Sequence, residues 1–175
     1  GSNPTNISGG GETYIFTDWG INQIGNDTPY TWRTLTDKEW HYLRYERNNA
    51  ERLIGVAQIN EVNGLILLPD DWTCPEGVGF QAGFHTERDD TYYAAYQKIS
   101  HSDWSKMEQA GAIFLPAAGS RYVSQTDLVQ FYGCYWTASL YNDYSACIFQ
   151  FFSNGADIDN LNRSMGLSVR LVREL

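Results

Sequence analysis

A chain of 175 residues with 42% hydrophobic and 15% aromatic residues, among them 6 Trp, 12 Tyr and 8 Phe, has the bulk for one well-filled core and falls outside the disordered class. Its formal net charge of -9, from 12 Lys+Arg against 21 Asp+Glu, repels phosphate backbones and anionic membranes, so nucleic acid is excluded as the expected partner. No run approaches the ~20 apolar residues of a membrane-spanning helix, and 3 Cys without a CxxC spacing leave the redox compartment open.

In chain order, residues 1–13, GSNPTNISGGGET, have the small, polar composition of a flexible leader, so one domain is expected over 14–175. YIFTDWGIN reads as a short edge strand. In TLTDKEWHYLRYER, Thr36 followed three residues later by Glu39 forms a capping box, and Trp40, Leu43 and Arg47 then share one helical face. LIGVAQI and NGLILLPDDW are β-rich runs, with Asn63-Gly64 as the expected hairpin turn. TCPEGVGFQAGFHTERDDTYYAAY reads as a long loop. A second helix is expected across SDWSKMEQAG, capped by Ser102 and ended by Gly111. AIFLPAAG, CYWTAS, ACIFQFF and LSVRLVREL complete the pattern as strands, with Leu167, Val169 and Leu171 alternating against Ser168 and Arg170. Two helices and a cluster of mostly antiparallel strands with long irregular loops predict an α+β fold.

The chain carries no GxSxG, HExxH, phosphate loop or dinucleotide GxGxxG, and no pattern in it calls for a cofactor. His41, His85 and His101 lack zinc-ligand spacing. Asp70-Asp71 and Asp89-Asp90 offer carboxylate pairs, but both sit where Asp serves turns. Asp157, Asp159 and Asn160 present alternating oxygen donors that resemble part of a calcium ligand set, with too few donors to complete it and no metal assigned. Cys134 and Cys147 fall on two expected neighbouring strands, where they face each other as a disulfide or a redox pair, or stay unpaired as buried small hydrophobes.

A series of ordered motifs from about residue 30 to 175 carries a resemblance: WRTLTDKEW with YLRYER, VNGLILLPDDW, MEQAGAIFLPAAGSRY, GCYWTAS and NRSMGLSVRLVREL. Together they resemble surface proteins of gut Bacteroidetes in the C-type lectin-like superfamily, the branch that holds the formylglycine-generating enzymes and the Fibrobacter paralogous domain. The resemblance implies a single C-type lectin-like domain, displayed at the cell surface or secreted. It extends to variable proteins of diversity-generating retroelements, in which adenine-directed mutagenesis rewrites a C-terminal stretch before a fixed tail. Tyr135 to Ser139 and Gly166 to Val172 would then be framework, and residues 140–162 the rewritten loop surface. Asn codons mutated at adenines cannot yield Lys, Glu, Gln, Met or Trp, and the stretch from Leu140 to Asn162 contains none of these but Gln150.

The function expected is therefore a non-enzymatic module that binds a protein or glycan ligand. Its candidate contact residues are Tyr141, Asn142, Asp143, Tyr144, Asn154, Asp157, Asp159, Asn160 and Asn162, with Tyr supplying area and Asn and Asp adaptable hydrogen bonds. The plainer account of the same residues is that Asn, Asp and Gly form wet turns. Arg163 and Arg170 are expected in the framework. The rivals are a fixed-specificity adhesin or pilus-associated subunit, and a formylglycine-generating-enzyme-like catalyst using Cys134 and Cys147.

Overall fold

The structure, a computed structural model, describes residues 18–84 and 96–173. The leader, His85, Asp89 and Asp90 lie outside the described residues, as do residues 14–17 of the first expected strand. The rest of that stretch forms a 3-10 turn at Trp19–Ile21.

Strand β1 (Arg33–Thr34) leads into helix α1 (Asp37–His41), and the capping box is present in full. Thr36 Oγ1 accepts from the Glu39 amide, and the Glu39 carboxylate reaches back to the Thr36 amide at 2.8 Å. After five residues the helix widens into a π-helical turn, Tyr42–Glu46, closed by the Arg47 amide donating to Tyr42 O. Arg47, the first extended residue after the turn, is buried. There its guanidinium donates to Leu43 O, Leu53 O, Leu68 O and the Asp70 carboxylate. Asp70 thus serves a buried arginine.

Strands β2 (Ile54–Ile59) and β3 (Val62–Leu67) form a hairpin whose turn is Asn60-Glu61, both with positive φ. Asn63-Gly64, the expected turn, lies three residues later, inside β3. Gly64 is needed there because a Cβ would overlap Leu115 O and the Phe114 ring. Strand β4 (Gln97–Ile99) runs parallel to β2 and leads into α2 (His101–Gln109), capped by Ser100 two residues before the expected Ser102. Then follow β5 (Ile113–Pro116), the β6 (Ser120–Tyr122) and β7 (Gln125–Asp127) hairpin, and the long strands β8 (Gly133–Leu140), β9 (Ser145–Phe152) and β10 (Gly155–Asn162). Two short strands, β11 (Ser168–Val169) and β12 (Leu171–Val172), close the chain.

Two four-stranded sheets, in the orders β4-β2-β3-β5 and β10-β9-β8-β11, share the main core. Ile54, Val56, Leu65, Leu67 and Leu115 come from the first, and Tyr135, Phe149, Phe151 and Ala156 from the second. Trp40 stacks on Phe149 with centroids 4.3 Å apart and planes 4° off parallel, which docks α1 on β9. Gly133 has no side chain because a Cβ would overlap the Phe151 ring. Behind the first sheet, Ile59, Ile66 and Ile99 pack against Met107 of α2. On the far face of the second, Cys134 and Ile148 pack with Tyr132, Trp136, Phe152 and Leu161.

These observations correct the expected α+β, two-helix C-type lectin-like architecture. The described residues hold twelve strands in four sheets against α-helices of five and nine residues, so the fold is mostly β with small helices. The difference arises because stretches with turn-like composition, 120–127 and 155–162, form strands that pair in hairpins, while the first α-helix ends at His41.

Candidate functional site

The stretch from 140 to 162, expected as a loop surface, is a turn followed by a regular β9–β10 hairpin. Phe152 pairs with Gly155, and the register runs without slip to Ser145 opposite Asn162. Period-two alternation assigns its side chains to faces. Phe149, Phe151, Ala156 and Ile158 point to the main core, and Ile148, Gln150, Asp157 and Asp159 to the outer face.

The nine candidate residues consequently divide. Tyr141, Asn142, Asp143 and Tyr144 form the β8–β9 turn, and Asn162 closes the hairpin beside it. The turn is held from several sides. Asn142 Oδ1 accepts from the amides of Tyr144 and Ser145, both at 2.9 Å. The amides of Tyr141 and Asn142 donate to Ser145 O. Arg163 donates its amide to Tyr144 O and its guanidinium to Asp143 O, and Asn162 Oδ1 accepts the Ser164 amide. Around this fixed backbone Tyr141 is 62% and Tyr144 77% exposed, beside Leu140.

Asn154 sits at the opposite turn, about 23 Å away along the seven steps of β10. Asp157 and Asp159 lie between, and each carboxylate caps the amide that follows it: Asp157 to Ile158 at 2.7 Å, Asp159 to Asn160 at 2.8 Å. Asp157 also accepts from the Tyr45 hydroxyl at 3.0 Å. Burial and the Asp157 carboxylate both push that hydroxyl's pKa up. Asp159 accepts from Gln150, whose amide oxygen takes the Tyr132 hydroxyl, so the one residue of the stretch that adenine mutagenesis of Asn codons cannot yield is a bridge in the framework. Asn160, one step off, faces the core side opposite Cys147. Asp157, Asp159 and Asn160 therefore do not converge, and among the described residues no three His, Cys, Asp or Glu side chains gather to hold a metal ion.

Sequence reading missed Arg44 and Tyr45. Arg44 Nε donates to Ala156 O at 3.1 Å while its guanidinium lies over the Tyr45 and Phe84 rings. Their partner is more than a hundred residues away, and the π turn that aims them leaves no periodic mark. Cys134 pairs in register with Gln150, three residues from Cys147, which puts the two thiols on opposite faces of the sheet. Both are free, and burial pushes Cys134 up to about 11 and Cys147 upward as well. A two-cysteine centre is not what this sheet assembles.

Among the described residues no helix is long and apolar enough to cross a membrane. No curated protein matches the chain, and no solved structure does. The model of one family, described as a domain of unknown function (DUF8237), matches residues 88–172, a span that contains the β8–β10 sheet and every candidate contact residue.

Proposed function

We propose that this domain is a non-enzymatic binding module of a bacterial cell surface, which holds a protein or glycan ligand at the β8–β9 turn. The observation that carries the reading is the pairing of a hydrogen-bonded, fixed turn with two tyrosines left 62% and 77% in solvent. Folding gains little from bulky rings kept in water, whereas a ligand gains large contact area at small entropic cost. Asp143 and Asn162 rim the tyrosines with polar groups, and Asp157 and Asn154 extend the surface along the hairpin.

The same sheet suits adenine-directed diversification of residues 140–162. Buried side chains on β9 carry the core while the exposed positions of the turn at 141–144 tolerate replacement. The neighbouring DNA tests this part: a near-copy of the codons for 134–172 that differs at adenines, beside a reverse transcriptase gene, is expected. Its absence leaves a binder of fixed specificity.

Binding itself is tested by screening the wild-type domain and the Tyr141→Ala/Tyr144→Ala variant in parallel against arrays of glycans and surface proteins. The variant is expected to lose wild-type hits about a hundredfold, as hot-spot aromatics do. Hits bound equally by both would place the contact elsewhere. Replacing Cys134 and Cys147 by Ser should leave the hits unchanged.

A further inference from the structure

The β6–β7 hairpin presents a different surface. Residues 121–129 are all exposed, and they include Tyr122, Val123, Leu128 and Val129. Val123 occupies the first position of the two-residue turn with φ 55° and is 77% exposed. A β-branched residue is strained in that conformation, where Gly or Asn is the ordinary choice. Among the described residues it gains little packing in return.

The pairing pattern shows where this hairpin is open. Arg121 exchanges both backbone hydrogen bonds with Gly166 on the outer side of β6. Arg121 lies opposite Thr126, so alternation turns the amide and carbonyl of Thr126 to the outer side of β7. Neither has a hydrogen-bond partner among the described residues. The β10 edge differs: its outward amides at 158 and 160 are capped by Asp157 and Asp159, and Ala156 O is taken by Arg44 and Tyr45. One edge is guarded against strand addition and the other is not.

We infer that β7 pairs with β7 of a second copy, antiparallel about a two-fold axis through Thr126, to make a four-stranded sheet from two hairpins. A two-stranded sheet is marginal alone, and this pairing supplies its missing neighbours. The two-fold register is self-complementary. Thr126 faces Thr126 and exchanges two hydrogen bonds, Asp127 faces Gln125, and Val123 is brought toward Leu128 and Val129 of the second copy. The nearest like charges are the two Asp127 carboxylates, diagonal neighbours about 8 Å apart that salt screens only in part and that keep the pairing weak, while the two Arg121 side chains stand three strand spacings apart, about 14 Å. The contact is small and belongs with weak interfaces burying less than about 1,200 Å². The dimer's dissociation constant is then on the order of 0.1 mM, and high local density on a surface would populate it.

Sedimentation equilibrium from about 10 μM to about 2 mM spans that constant. Wild type is expected to pass from monomer to dimer and stop there. Thr126→Pro removes an amide that β6 does not use, and should weaken the dimer at least about tenfold with unchanged circular dichroism. Thr126→Lys, a milder edge guard, decides the matter if the proline variant misfolds. A wild type that stays monomeric throughout, open-ended growth past the dimer, or a dimer indifferent to a folded Thr126 variant would overturn the pairing. None of these outcomes bears on the β8–β9 turn, whose binding is read separately.

Discussion

Two short segments of this domain are fixed by side chains that bond to backbone, and they end oppositely. At β1–α1, Arg33 grips the Glu39 carboxylate with both terminal nitrogens, at 2.9 and 2.6 Å, while Glu39 and Thr36 cap one another. The result is a Trp40 side chain only 1% exposed, seated on Phe149. At the β8–β9 turn, Asn142 and Arg163 supply a comparable set of bonds, and the result is two tyrosines in water. The first segment is rigid in order to bury something. The second is held as firmly and leaves both rings in solvent, the contrast on which the proposed binding role rests.

Perturbation should separate the two segments by size of effect. The largest loss is expected from Arg47→Ala, just beyond the first and after the π turn, where a side chain 3% exposed holds Leu43 O, Leu53 O and Leu68 O. Orphaning those carbonyls should cost at least about 3 kcal/mol in urea unfolding, and a loss below ~1 kcal/mol would mean water replaces the guanidinium. Asn142→Ala should cost about 1 kcal/mol by the same measurement, yet weaken any ligand found at the turn even though the tyrosines remain. Equal binding by that variant would show that rigidity of the turn is irrelevant.

A smaller, pH-dependent effect belongs to Glu39. The Arg33 guanidinium beside it holds its carboxyl at about 2, against an ordinary 4.5. Its contribution is therefore complete above pH 4.5 and lost as the pH falls through about 2. Its size is modest because the pair is partly open to solvent. Glu39→Gln keeps the cap but should flatten the acid limb of stability in that window, and an unchanged limb would assign acid sensitivity to other carboxylates. Smallest of all, Tyr144→Ala should shift stability by less than about 0.5 kcal/mol. A larger shift would make Tyr144 part of the fold and remove the contrast.

The start of the first segment was legible in the sequence because its signal is local, Thr36 to Glu39 being one helical turn, whereas the repeat of Trp40, Leu43 and Arg47 hid the π turn that follows His41. The alternation of Phe149 and Phe151 was legible in the same way. What was hidden depends on distant partners. Asn63-Gly64 drew the hairpin turn away from Asn60-Glu61, since Glu is not a residue that announces positive φ. The strand β10 was hidden by Asp, Asn and Gly, residues that ordinarily report a turn. Its period of two breaks at Asn160 and Leu161, where the polar residue faces inward and the apolar one joins the outer cluster. Among the candidate contacts, Tyr141 to Tyr144 were legible as one group, but the 23 Å that separates them from Asn154 follows only from the hairpin.

The carboxylate caps on β10 limit what could be written at those positions. If codons 157 and 159 are rewritten from generation to generation, each replacement that cannot bond its own following amide uncovers a long strand edge. Such variants would be lost to clumping during export before meeting any ligand. The usable repertoire would then be thinned first by strand chemistry, with short oxygen-bearing side chains surviving at these two places and wider freedom kept for the turn at 141–144.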